Sequence, residues 1–221
     1  MRRVVGLVRQ AVMFEFRLYR SLFRWVTRRP HVPPGAVAFG YVGPVAALLW
    51  VFICVSAIEL LVLHLALRWE IIRLVVDILS AWGLVWMFGL MAAFKVYPHV
   101  VGDSGVRVRR GLTVDLTVPW DAIAAIAARE RGRQKSRAIQ LDRDETQTVL
   151  NVVMAGRTNV DVKLHRPFVV PLRTGGESVS ELRLFADDAR SLVSEVRGRL
   201  AADSRPAAPR FTSGARDSAG A

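Results

Sequence analysis

A chain of 221 residues, 52% hydrophobic and carrying a net charge of +12, has room for one membrane hairpin and one domain of about 100 residues. It is too hydrophobic for an ordinary soluble protein and too modestly so for a transporter of many spans. A single cysteine, Cys54, excludes a disulfide framework or a cysteine-rich metal site.

Residues 1–34 come first. Eight arginines against Glu15 give this segment +7 of the total charge. Wound as a helix, Val5, Val8, Val12, Phe16, Tyr19, Phe23 and Val26 share one face. The basic residues Arg9, Arg17, Arg20, Arg24 and Arg28 share an adjoining arc. Such a helix suits the membrane surface, with the arginines as candidate lipid-facing groups. Charge held so close to a span points to anionic lipid rather than nucleic acid as partner. Arg17, Arg20 and Arg24 interrupt any compact apolar core, so the segment does not read as a secretory signal peptide. Pro30, Pro33, Pro34 and Gly35 end the helix.

Residues 43–97 read as a transmembrane hairpin, with spans over about 43–67 and 74–96 and a reversal through residues 68–73. The first run carries no Lys or Arg, and at about 1.5 Å per residue each run crosses a hydrocarbon core of about 30 Å. Basic residues are denser before the first span and after the second than in the reversal, so both termini are expected in the cytoplasm and the protein in the inner (plasma) membrane. Glu59, His64 and Asp77 are ionisable groups in the half of the hairpin nearer the reversal. His64 and Asp77 lie at similar depth and could pair across the helices. Glu59 lies deeper, and intramembrane carboxylates are costly.

From residue 98 the period shifts to two. Val106 and Val108 alternate with Arg107 and Arg109, and Leu112 to Val118 alternate likewise after Arg110-Gly111. That is a β-hairpin with one buried face, and Asp115 shares the arginines' face. Pro119 to Ile123 reads as a helical turn. Residues 124–129 fit strand or helix, and 129–137 read as a basic loop. Strands are expected over 147–154, 159–164, 168–172 and 181–185, with a turn at Gly175-Gly176. Asp187 is expected to cap a helix striped by Ala189, Leu192, Val193, Val196 and Leu200. The Ala, Ser, Pro and Gly of residues 201–221 suggest a disordered tail.

The segment Gly105-Val-Arg-Val-Arg-Arg-Gly, the motif Val118-Pro-Trp-Asp-Ala-Ile123 and the helix Asp187-Asp-Ala-Arg-Ser-Leu-Val193 resemble bacterial pleckstrin-homology-like domains that follow a transmembrane hairpin. The resemblance implies a curved β-barrel or sandwich of about seven strands over residues 98–200, capped by the C-terminal helix, with a binding or assembly role. Phosphoinositide-binding relatives carry a Lys-then-(Lys/Arg)-x-Arg arrangement around the first loop. This chain has Arg107, Arg109 and Arg110 without that lysine.

No catalytic motif stands out. The four histidines lack metal-ligand spacing, no phosphate loop follows a strand, and the acidic residues 142–145 lack a calcium-loop pattern. The expectation is a non-enzymatic, membrane-anchored binding or scaffold protein without cofactor or metal. Its cytoplasmic domain would bind a protein partner or another copy of itself near anionic lipid, through a surface including Arg107, Arg109, Arg131, Arg133 and Lys135. The alternative is a small accessory subunit of a transport or proton-handling complex that uses Glu59, His64 and Asp77.

Overall fold

A computed structural model describes residues 2–132, 139–143, 147–172 and 175–203. Helix α1 spans Arg2–Val26. Helices α2 (Gly43–Ala66) and α3 (Glu70–Val96) form the hairpin. Both are long and apolar enough to cross a membrane, and only 6% and 11% of their most apolar stretches is buried. Pro44 at the start of α2 loses no hydrogen bond there. The reversal is shorter than residues 68–73. Glu70 to Arg73 already belong to α3, because nothing in Glu-Ile-Ile-Arg breaks a helix and Glu70 suits its positive N-terminal end.

Two sheets follow. The first pairs β1 (Val37–Phe39), β2 (His99–Gly102), β3 (Gly105–Arg110) and β4 (Val114–Val118) in that order, all antiparallel. Strand β1 comes from before the hairpin, so the domain is not confined to residues 98–200. Gly105 closes the β2–β3 turn at φ +124°, where a Cβ would lie 2.1 Å from the Val118 carbonyl oxygen, so only glycine fits. After the short helical turn Trp120–Ala122 comes the second sheet. It comprises β5 (Ile123–Gly132), β6 (Ile139–Arg143), β7 (Thr148–Val152), β8 (Arg157–Leu172) and β9 (Gly175–Leu184), in the order β5-β8-β9-β7-β6. Strands β7 and β9 run parallel.

Several expectations change here. The sheets, of four and five strands, do not close into a barrel. The strands expected over 159–164 and 168–172 are one strand, β8, with an irregularity between Lys163 and Phe168. Gly175 and Gly176 lie in β9 rather than in a turn. Residues 129–132 extend β5 rather than opening a loop. Each of these depended on pairing between distant strands, which local alternation does not report.

The core is built from the inward faces of both sheets, among them Val106, Val108, Val160, Val162, Leu182 and Leu184. Helix α4 (Ala189–Asp203) completes it with Leu192, Val193 and Val196. Its cap is Asp188 and not Asp187, since the Ser191 N–H donates to Asp188 Oδ1 at 2.9 Å. Those hydrogen bonds hold the Asp188 carboxyl below its usual range. Helix α4 also guards an open edge. Arg197 donates two hydrogen bonds (3.2 and 2.9 Å) to the Ile126 carbonyl of edge strand β5, which shields it from foreign strands. Of the tail, Ala201 to Asp203 are helical, and the rest lies outside the described residues.

Candidate interface between the hairpin and the sheet domain

Helix α1 has three faces rather than two. Phe14, Leu18, Ser21, Leu22 and Trp25 turn toward α3 and are partly or wholly buried. Leu18 is fully buried over Gly89, where a Cβ would come within 2.7 Å of Leu18 Cγ. Trp82 Nε1 donates to Tyr19 Oη at 2.7 Å, the Phe14 and Trp86 rings lie 6.5 Å apart, and Lys95 Nζ stands 5.8 Å over the Trp25 ring. The second face, with Val8, Val12, Phe16, Phe23 and Val26, stays exposed. The third carries Arg9, Arg17, Arg20 and Arg28, all exposed and without an ion pair among the described residues. Arg24 on the same arc donates instead to His31 Nδ1 at 3.1 Å.

His31 starts a chain of contacts that ties this helix to the domain. Its N–H donates to the Val96 carbonyl at the end of α3 (3.0 Å). Its own carbonyl accepts from Arg109 Nη1 at 2.7 Å. Arg109 is the largest fully buried side chain, at 1% exposure. It was expected on an interaction surface, but register sets it opposite Asp115 on β4 and the linker covers it. Arg107 remains at the surface and takes both Asp115 oxygens at 2.6 Å. Burial alone would raise the Asp115 carboxyl, but the hydrogen bonds and charge of Arg107, with Arg109 beyond, hold it below its usual range.

Beside Arg109 lies His99, also fully enclosed. Nε2 faces the Phe185 carbonyl at 2.9 Å, which can only accept, so Nε2 carries the proton. Nδ1 then accepts from the Arg109 backbone N–H at 3.1 Å. With both nitrogens satisfied in the neutral form, burial drives its pKa down to about 4, further lowered by Arg109. Tyr41 stacks on it with ring centroids 4.7 Å apart. The Tyr41 hydroxyl donates to the Tyr97 carbonyl (3.0 Å) and accepts from the Gly111 N–H (2.7 Å). Burial pushes its pKa up to about 12. Tyr41, Val42, Met91 and Met154 pack there as a small second core, linking the end of the hairpin away from its reversal to the domain.

Asp187 closes the junction. Its carboxylate accepts from the Val42 N–H at 3.1 Å and the Gly43 N–H at 2.8 Å, and its own N–H donates to the Gly40 carbonyl at 2.8 Å. An aspartate at the end of the sheet domain thus caps the first membrane-length helix. A Cβ on Gly40 or Gly43 would stand 2.8 or 2.7 Å from that carboxylate, so both glycines leave room for it. Asp187→Ala is expected to destabilise the folded chain by about 1–2 kcal/mol, the usual range for a lost N-cap. Denaturation of the detergent-solubilised full chain would measure it. Gly43→Ala should cost a similar amount alone and little on top of Asp187→Ala, since both disturb one contact.

Other expected groups distribute as follows. His64 Nδ1 and Asp77 Oδ2 meet at 2.7 Å across the hairpin, as depth alone suggested. Glu59 is exposed on α2, without a partner among the described residues. Arg131 is half-buried and spans to Asp161 at 3.1 Å, where Arg183 and Glu181 continue the ionic row. Arg133 and Lys135 lie outside the described residues, as do Asp144 and Glu145. Sequence reading missed Tyr41, His99 and the role of Asp187. One signal existed: Asp187-Asp188 offers two acids where a single helix cap needs one. No protein-family model, curated protein or solved structure matches the chain.

Proposed function

We propose that the chain is an integral membrane protein of binding or scaffold type. Its hairpin crosses the inner membrane, and both termini and the sheet domain lie in the cytoplasm, close against anionic lipid. The observation that carries this reading is the pairing of two largely unburied apolar helices with a domain clamped directly onto the end of the hairpin away from its reversal, through Asp187, Arg109 and Tyr41. Apolar surface of that extent is not left to water, and the clamp passes the hairpin's position to the domain. The unpaired arginines of α1 face the level of the headgroups. The domain's task is contact with a protein partner or with a second copy. A pleckstrin-homology-like ancestry suits the succession of two sheets and a C-terminal helix, although the open sheets and the parallel β7–β9 pair depart from it.

Single cysteines at Glu70 and at Asp103, placed in a Cys54→Ser background, test the orientation in intact cells. Labelling of Glu70→Cys alone by an impermeant reagent is expected. Labelling of Asp103→Cys alone would put the domain outside and remove the argument for cytoplasmic lipid. Exchanging Arg9, Arg17, Arg20 and Arg28 for Gln should each remove about 1 kcal/mol of attraction to anionic lipid. Fewer anionic lipids should co-purify with the variant, and an unchanged lipid profile would sink the lipid role.

A further inference from the structure

We infer that a groove between α1 and the β3–β4 turn holds one anionic phospholipid molecule, its phosphate between Arg9 and Arg17; this deepens, and rests on, the lipid-facing reading of α1. The groove has a volume of about 420 Å³. Its lining is part basic, with Arg9 and Arg17, and part apolar, with Met13 and Phe14 on the helix and Leu112 on the turn. Both walls are held by contacts of their own. Phe14 packs on Trp86 of α3, ring centroids 6.5 Å apart, and Leu18 one turn further on is buried over Gly89. Opposite, Leu112 sits in a turn whose Gly111 N–H donates to the Tyr41 hydroxyl at 2.7 Å. The Thr113 N–H closes that turn on the Arg110 carbonyl at 3.0 Å.

The lining says what fits. Arg9 and Arg17 stand about 12 Å apart along the helix, with Met13 midway between them on the same arc. Both are exposed and have no ion pair among the described residues. Glu15, the only acid of α1, lies on the opposite side of the helix at about 3.6 residues per turn. Two unneutralised cations on one opening take an anion, and the planar fork of arginine suits phosphate oxygens. Gln10, at the same opening, can donate a further hydrogen bond. Inorganic phosphate or a nucleotide would leave Met13, Phe14 and Leu112 uncovered. A glycerophospholipid covers them with its glycerol backbone and first methylenes, and its chains continue into the bilayer beside the hairpin. The bound lipid would then touch α1 and the sheet domain together, and so join the domain's position to the membrane surface.

The full chain in non-ionic detergent, titrated with phosphatidylglycerol or phosphatidylcholine and read by native mass spectrometry, provides the test. No charged surface surrounds the protein in such a micelle, so only a lipid held in a site counts. Phosphatidylglycerol should bind in preference. Arg9→Gln and Arg17→Gln should each weaken it about fivefold, whereas Arg20→Gln, exposed on the same arc but outside the groove, should not. Gly6 also lines the groove, and a Cβ there meets nothing within 4 Å. Gly6→Leu is therefore tolerated by the fold, leaves the charge unchanged and fills the groove, so the bound phosphatidylglycerol should be lost. Equal binding of the two lipids, an equal effect of Arg20→Gln, or retention by Gly6→Leu would each overturn the site. Displacement by glycerol phosphate at equal concentration would assign the groove to a soluble phosphate compound and overturn the lipid. The broader reading fails differently. Release of the chain from native membranes by alkaline carbonate would refute insertion, and an unchanged lipid profile in the four-arginine variant would refute the lipid role of α1. Retention in the membrane with binding indifferent to Gly6→Leu refutes the groove alone.

Discussion

Arg109→Ala is expected to destabilise the folded chain by about 3 kcal/mol, and Arg109→Met by less than about 1 kcal/mol. Two effects oppose each other at this site. Burying a guanidinium is costly, and Nε and Nη2 of Arg109 find no hydrogen-bond partner, with Asp115 Oδ1 no closer than 3.5 Å. Removing the charge therefore recovers part of a desolvation penalty. Alanine, however, also empties the volume of the largest fully buried side chain. Large-to-small core changes cost about 2–5 kcal/mol, so the cavity wins. Methionine keeps most of that volume and removes the charge, so the opposing terms come close to balance. Both variants lose the bond to the His31 carbonyl. Both should therefore loosen the linker after α1, seen as faster proteolysis between residues 27 and 36. Denaturation of the solubilised full chain together with limited proteolysis separates the two effects. Equal stability loss in both variants would mean that the ionic contact, and not packing, is what Arg109 supplies.

The second large effect is a loss of stability in mild acid. His99 is neutral when folded, with a pKa near 4, against about 6.5 in an unfolded chain. Between those values the unfolded state binds the extra proton, so stability falls as pH drops. The contribution is complete above about pH 6.5 and is lost progressively down to about pH 4. At about 1.4 kcal/mol per pH unit the loss reaches about 3 kcal/mol. The physical cause is specific. A proton on Nδ1 would face the Arg109 backbone N–H that Nδ1 now accepts, and the Arg109 cation stands nearby. Tyr41, the other titrating group against the ring, does not change charge in this range. His99→Gln should be less stable at pH 7 and show a flatter profile between pH 6.5 and 4. A wild-type profile as flat as that of the variant would show that His99 is not the sensor of acid.

Much of the architecture was determined by sequence alone, where its cause is local. Two long apolar runs make membrane-length helices wherever they are placed, because backbone hydrogen bonds close within each run. The alternation of Val106, Val108, Leu116 and Val118 sets a buried face whatever covers it. His64 and Asp77 were placed at one depth by counting residues from a short reversal, and they meet there. The tertiary structure decided what depends on distant partners. Strand β1 joins a sheet whose other members follow the whole hairpin. Arg107 and Arg109 look equivalent in the chain, yet only the first stays at the surface, because the linker at His31 lies over the second. Asp187 and Asp188 are adjacent and alike in chemistry. One caps its own helix, and the other reaches a helix that begins some 145 residues earlier. No local pattern separates those two acids, since what distinguishes them is the unpaired N–H groups at the start of α2, which only folding brings within reach.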